Sequence, residues 1–290
     1  MNMNADNALT KAQFELLSAF ERAERLNLEP PKGDAGELTA LGYLENGAIT
    51  EAGRRALEPY RVRRAVFIAA GFGSRMVPIT LNTPKPLVRV HGKRIIDTLL
   101  DAVVEAEIPE VVIVRGYLGE QFDQLVKKYP NIRFVENPLY NEANNISSAL
   151  RVRELLRGAY VFEADLVLSN PALVRKYEFE TNFLGIPMRR SDDWCFQVEG
   201  GAIRALDIGG TDCYQEVGIS YWSDADGAKL ESDLKAAFEM PGGREFYWEQ
   251  VPLKAFAEHY RVAVRLCSQE DIVEIDTFNE LKAFDKTYDV

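Results

Sequence analysis

Ala65-Val66-Phe67-Ile68-Ala69-Ala70-Gly71-Phe72-Gly73-Ser74-Arg75-Met76 begins as a short apolar run and ends in small residues, two glycines and an arginine. An apolar run of this length bounded by a turn signal reads as a buried strand. The small residues after it let backbone N–H groups approach an anion closely, and Arg75 adds a fixed cation. The glycine spacing is neither that of a dinucleotide-binding fingerprint nor that of a Walker loop. Two glycines after a strand most often mark only a tight turn. The signal strengthens with Thr83-Pro84-Lys85-Pro86-Leu87, which sets a second cation in a proline-stiffened segment about ten residues on.

Downstream, apolar β-rich runs alternate with helical ones, the pattern of βαβ units and a mostly parallel sheet. The expected strands are Ala65 to Ala69, Val111 to Arg115, Ile132 to Glu136, Tyr160 to Glu163 and Phe183 to Pro187. Ile95, Ile96, Leu99, Leu100, Val103 and Val104 recur at helical spacing, as do Phe122, Leu125 and Val126 on a shorter helix. Past Ser191 the segments shorten. Trp194 to Val198, a Gly200-Gly201 turn, Ile203 to Ile208 and Glu216 to Trp222 read as an antiparallel layer.

Upstream lies a different pattern. Thr10 with Gln13 resembles a capping box, and Phe14, Leu16, Leu17, Phe20 and Ala23 give one apolar helical face. After Pro30, Pro31 and Gly33, a short helix, an Asn46-Gly47 turn and a Thr50-capped helix through Leu57 are expected. The expected domains are therefore 1–62, small and helical, and 63–290, an α/β domain.

The chain of 290 residues has 47% hydrophobic and 27% charged residues, near the globular average. Met1 to Thr10 are polar, and no apolar run reaches bilayer length, so a cytoplasmic protein without membrane contact is expected. Cys195, Cys213 and Cys267 lie far apart, which argues against a disulfide framework or a thiolate metal site. With only His91 and His259, a histidine-rich zinc site or a Ser-His-Asp triad has little to draw on. A net charge of −11 disfavours extended nucleic-acid binding but tolerates a small anion in a local cationic pocket.

Ala-Ala-Gly-x-Gly-Ser-Arg followed by Pro-Lys-Pro-Leu resembles the signature of the NTP-dependent nucleotidyltransferases that make activated sugars and alcohols. Arg115-Gly116-Tyr117, Asn141 to Ser148 and Glu163-Ala164-Asp165 look most similar to the bacterial CTP:phosphocholine cytidylyltransferases. The likeness spans roughly residues 64 to 288 and implies a Rossmann-like nucleotidyltransferase domain with a small antiparallel acceptor-binding layer. Leu41 to Leu57 resembles instead the wing and last helix of winged-helix domains. Residues 1–64 carry ten acidic and nine basic side chains, which favours docking or regulation over DNA reading despite the cluster Arg54, Arg55, Arg61, Arg63 and Arg64.

The resemblance implies catalytic roles for Arg75 and Lys85, and Mg²⁺ held by Asp165 and Asp276, whose hard oxygens suit that ion. Asp276, just before Thr277, has the alternative of serving as a helix cap. It implies nucleotide contacts from Ala69, Ala70, Gly71, Gly73, Ser74 and Tyr117, with Asn145, Ser147 and Ser148 where relatives recognise the base; the same residues also favour a helix start. A choline head group requires aromatic faces and nearby carboxylates. Trp194, Tyr247 and Trp248 can supply the faces, and Glu216 and Glu249 the charge. Glu249 departs from a Tyr-Trp-Asp-like element of the family. The expected reaction is CMP transfer from CTP to phosphocholine, giving CDP-choline and pyrophosphate. The alternatives are the same transfer to 2-aminoethylphosphonate or another small zwitterion, and a DNA-binding regulator with a nucleotide-sensing domain. A homodimer and a functional link to a choline kinase stay open.

Overall fold

A computed structural model describes residues 8–289; the polar segment Met1–Asn7, part of the stretch without a signal pattern, lies outside the described residues, as does Val290. Residues up to Val62 together with Lys176–Phe179 form one compact unit, and Arg63–Arg175 with Glu180–Val290 form a second.

In the first unit, helix α1 (Lys11–Arg25) starts at a true capping box: the Gln13 amide donates to Thr10 Oγ1 and the Thr10 amide donates back to Gln13. Phe14, Leu17, Phe20 and Ala23 recur every three residues and are buried together, each large side chain contributing about 1.5–3 kcal/mol. Helix α2 (Gly36–Ala40) leads to a hairpin of β1 (Leu44–Glu45) and β2 (Ala48–Ile49). Its two central residues, Asn46 at φ 51° and Gly47 at φ 79°, have the left-handed backbone that a tight hairpin requires. Helix α3 (Glu51–Leu57) is capped by Thr50, as expected. Buried Glu21 is ion-paired to Lys176 at 2.7 Å, one reason the later segment Lys176–Phe179 belongs here.

The second unit is built on strands β3 (Arg64–Ala69), β6 (Glu110–Arg115), β7 (Ile132–Glu136) and β8 (Ala159–Glu163), which match the expected strands to within a residue at either end. Between β3 and β6 lie a small hairpin, β4 (Arg89–Val90) with β5 (Lys93–Arg94), and helix α4 (Ile95–Glu105). Ala65, Val66 and Phe67 are buried, as are Val111 to Val114, because parallel strands are covered on both faces. Helix α5 (Ile146–Val152) covers one face through Ile146, Ala149 and Val152. The Phe122 and Leu125 segment is a 3₁₀ helix whose Val126 faces solvent.

The remaining strands are β9 (Leu166–Leu168), β10 (Asn182–Glu199), β11 (Ala202–Trp222), β12 (Ala263–Leu266) and β13 (Ile272–Glu274), with helices α6 (Asp224–Glu239) and α7 (Phe278–Phe284). The expected short antiparallel segments fuse into the two long strands β10 and β11, joined at Gly200-Gly201 and kept continuous by register shifts between Ser191 and Trp194 and beyond. The main sheet has the order β10-β12-β11-β8-β3-β6-β7, with β3, β6, β7 and β8 parallel and β11 antiparallel to β8. From β3 the chain moves outward through β6 to β7, then returns to β8 on the other side. That reversal opens a crevice at the carboxyl ends of β3 and β8, where ligands of open α/β sheets bind. Among the described residues no helix is long and apolar enough to cross a membrane.

Candidate active site

The loop after β3 lines this crevice. Gly73 lies at φ +68°, and a Cβ there would meet Lys85 Cβ at 3.1 Å and Thr80 Cγ2 at 3.3 Å, so only glycine lets the two segments close on each other. The Thr80 hydroxyl donates to the Gly73 carbonyl at 2.9 Å, and the Tyr117 amide donates to Ala70 at 3.0 Å. A cavity of about 770 Å³ opens above the loop, within the range of small-molecule sites. Ala69, Ala70, Gly71, Gly73, Ser74 and Arg75 line it.

At its floor Lys85, 7% exposed, donates to Asp165 Oδ2 at 2.8 Å and Asp276 Oδ1 at 2.9 Å. Burial works against the lysine charge, but the two carboxylates outweigh it and hold the ammonium well above its ordinary range. Arg75, largely exposed, closes an ion pair on Asp276. The sheet explains how residues so far apart meet. Strand β13 pairs antiparallel with β9, Glu274 opposite Leu166, which lays Asp276 beside Asp165; the Ile275 amide donates to the Asp165 carbonyl at 3.3 Å. Helix α7 is capped by Thr277 and Glu280, which leaves the Asp276 carboxylate for the cavity.

Carboxylate oxygens of Asp165, Glu274 and Asp276 lie within 4.8 Å of one another. Asp165 Oδ1 is buried without a hydrogen-bond partner. A buried anionic oxygen left unsatisfied is costly, and a hard cation coordinated there removes that cost, so the donor set fits Mg²⁺. Burial, then the Asp165 charge, push Glu274 up to about 8. Glu274 was missed at the sequence level, although its alternation with Asp276 across Ile275 is what a strand end would use to aim two carboxylates one way.

The Asn/Ser segment also reaches the cavity. Asn137, 2% exposed, donates from one amide nitrogen to Ser147 and Ser148, both at 2.9 Å, while the Ser147 hydroxyl donates to the Asn144 carbonyl at 2.8 Å. Asn145, Ser147 and Ser148 line the cavity. Tyr117 does not: its hydroxyl donates to Leu81 at 3.0 Å and its ring packs edge-on against Phe72, so it braces the loop from behind.

The same cavity is lined by Trp194, Glu216, Tyr247 and Glu249, with Glu163, which sequence reasoning missed. Trp194 and Tyr247 meet edge to face at 5.7 Å. Trp248 departs from the expected aromatic cage. It is 2% exposed and packs on Phe183 and Trp222 in the core, because consecutive residues of the Tyr-Trp-Glu run point different ways and the apolar ring takes the interior. Among the described residues no cation is ion-paired to Glu163, Glu216 or Glu249, and Glu249 Oε1 is buried without a partner. Burial comes first in raising all three well above the usual carboxylate range, followed by the charge of Asp165 for Glu163, of Glu249 for Glu216 and of Glu163 for Glu249.

A nucleotidyl transferase family model matches residues 64–183. The chain is 37% identical over 232 residues to a 2-aminoethylphosphonate cytidylyltransferase of Lancefieldella rimae, covering 77% of this chain and 92% of that protein. The chain belongs to the nucleotidyl transferase family. This nucleotidyltransferase is also 30% identical to a choline-phosphate cytidylyltransferase of Haemophilus influenzae, over 74% of this chain and 93% of the relative. The solved structure of CTP:phosphocholine cytidylyltransferase from Streptococcus pneumoniae superposes with a TM-score of 0.71 at 27% identity, covering 78% of this chain and 99% of that one. The family model's match begins at residue 64, just past Val62, where the main stretch of the first unit ends.

Proposed function

We propose that this nucleotidyltransferase transfers CMP from CTP to a small zwitterion with an ionised phosphoryl group at one end and a primary ammonium at the other, 2-aminoethylphosphonate being the acceptor that fits best. The carrying observation is the cluster of Glu163, Glu216 and Glu249, which line the cavity without a cationic partner among the described residues. An ammonium has three N–H donors to offer such a cluster, whereas a trimethylammonium has none. The loss of Trp248 from the cavity weakens the aromatic cage that phosphocholine needs. The 37% identity to the 2-aminoethylphosphonate enzyme supports the same choice.

An unprotonated acceptor oxygen attacks the α-phosphorus in line, a new P–O bond forms, and the bond to the bridging oxygen breaks as pyrophosphate leaves. The attacking oxygen is already ionised, so no general base is required. Mg²⁺ held by Asp165 and Asp276, with Glu274 beside them, would supply positive charge against the triphosphate. Lys85 and Arg75 stabilise the charge that grows on the leaving group, and the loop Ala69 to Ser74 presents backbone amides to the phosphates. Glu163, Glu216 and Glu249 hold the far end of the acceptor and so set the distance of attack.

A second reading, phosphocholine as acceptor, has the Trp194–Tyr247 pair in its favour. Pyrophosphate release from CTP with each acceptor decides between them: kcat/KM at least about tenfold higher for 2-aminoethylphosphonate is expected, about 1.4 kcal/mol of transition-state preference. For the amino-terminal unit we propose a docking or regulatory role. A winged-helix DNA reader would instead show salt-sensitive duplex binding in a gel-shift titration.

A further inference from the structure

Asn144 and Asn145 lie at the start of α5, in the segment that the resemblance assigns to base recognition, yet their polar groups are spent elsewhere. The Trp248 amide donates to Asn145 Oδ1 at 2.8 Å, and Asn145 Nδ2 donates to Glu163 Oε1 at 3.2 Å. Asn144 makes the neighbouring pair of contacts: its backbone amide donates to the Arg244 carbonyl at 2.8 Å and its Nδ2 to the Glu245 carbonyl at 3.2 Å. Four bonds thus tie two adjacent asparagines to the segment 244–249 and to the end of β8, about a hundred residues away in sequence on one side. That segment carries Tyr247 and Glu249.

A primary amide has two N–H donors and one carbonyl oxygen. With its oxygen on Trp248 and its nitrogen on Glu163, the Asn145 side chain is already engaged on the acceptor side. Ser148 is different. Asn137 donates to it, which leaves its own hydroxyl hydrogen for a ligand.

We propose that Asn145 is a positioning residue for the acceptor, fastening Glu163 and the Glu249 segment in register with the nucleotide half, and that base recognition falls to Ser148 and to backbone groups. The proposal rests on the acceptor site described above, but not on which acceptor fills it. The same fastening serves any cationic head group held by these carboxylates.

Asn145→Asp separates the two roles, since it keeps an oxygen for the Trp248 amide but replaces the donor to Glu163 with a second negative charge. Asn145→Ala removes both. Steady-state pyrophosphate release is measured for wild type and both variants, varying CTP, UTP, 2-aminoethylphosphonate and phosphocholine, with near-UV circular dichroism as the check of folding. The expected result is an acceptor KM raised at least tenfold in Asn145→Asp, a CTP KM within threefold of wild type, and an unchanged preference for CTP over UTP. A CTP KM raised tenfold with loss of that preference overturns the proposal and returns Asn145 to the base. So do equal rises in both KM values, no change in either, or failure of both variants to fold. If the wild type prefers phosphocholine, the acceptor identity above fails while the KM split, read with phosphocholine, still decides the role of Asn145.

Discussion

Two groups of carboxylates line the cavity, Asp165 with Asp276 and Glu163 with Glu216 and Glu249, and they meet buried negative charge in opposite ways. Around Asp165 and Asp276, Lys85 and Arg75 supply cations, so charge is compensated and geometry is held by ion pairs. Around Glu163, Glu216 and Glu249 no cation among the described residues is paired, and burial pushes these acids toward their neutral form. The first end is preorganised for a polyanion, whose phosphates meet fixed positive charge. The second is built for a ligand that brings its own positive charge. Residue type alone therefore says little; which carboxylates the fold provides with counterions says which substrate each end receives.

The largest way to break the comparison is at the compensated end. Lys85→Met should lower kcat by about 10³-fold, because it removes a preorganised charge from the transition state. Single-turnover pyrophosphate release on a variant whose circular dichroism matches wild type measures it; a loss under tenfold would put Lys85 outside the chemistry. Glu249→Gln addresses the other end. It should raise the acceptor KM by about 10–100-fold, the worth of one charge-assisted hydrogen bond, and leave the CTP KM unchanged.

The same variant should be more stable than wild type at alkaline pH. The acidic groups at the acceptor end have folded-state values raised above the ordinary 4.5. As pH rises from there toward the raised values, the unfolded chain gives up protons that the folded chain keeps, so stability falls across that window. Without ligand, the melting temperature of wild type should decline as pH rises above the ordinary carboxylate value of 4.5, and Glu249→Gln should reduce that decline. Parallel slopes for the two proteins would mean that Glu249 is already ionised. The smallest effect belongs to Trp194→Ala: about threefold or less on the KM for 2-aminoethylphosphonate, and more on that for phosphocholine, for which a ring face is the main attraction.

Much of the compensated end was legible in the sequence because its signals are local. An apolar run ending at Ala69, the glycines, and Lys85 between two prolines each state their own geometry. Asp165 follows a strand end, which alone is more often a structural position; its role was readable only through the family resemblance. Glu274 joins it only through the pairing of β9 with β13, a register between segments about a hundred residues apart that no local period reveals. The acceptor end was harder to read. Trp248 and Tyr247 are adjacent, and which ring faces the core depends on Phe183 and Trp222 arriving from other strands. Glu163 looked like the end of a strand, and its role depends on Asn145 and Glu249 packing against it. Lys176–Phe179 likewise joins the first unit through a buried partner, Glu21, rather than through any pattern of its own.

The central claim is that the uncompensated carboxylates select a primary ammonium. Its most direct test is kcat/KM for 2-aminoethylphosphonate against phosphocholine, with CTP, in wild type and in Glu249→Gln. The expected result is a preference of at least about tenfold for 2-aminoethylphosphonate in wild type that shrinks in the variant. A wild-type preference for phosphocholine, or a preference that Glu249→Gln leaves untouched, would contradict it.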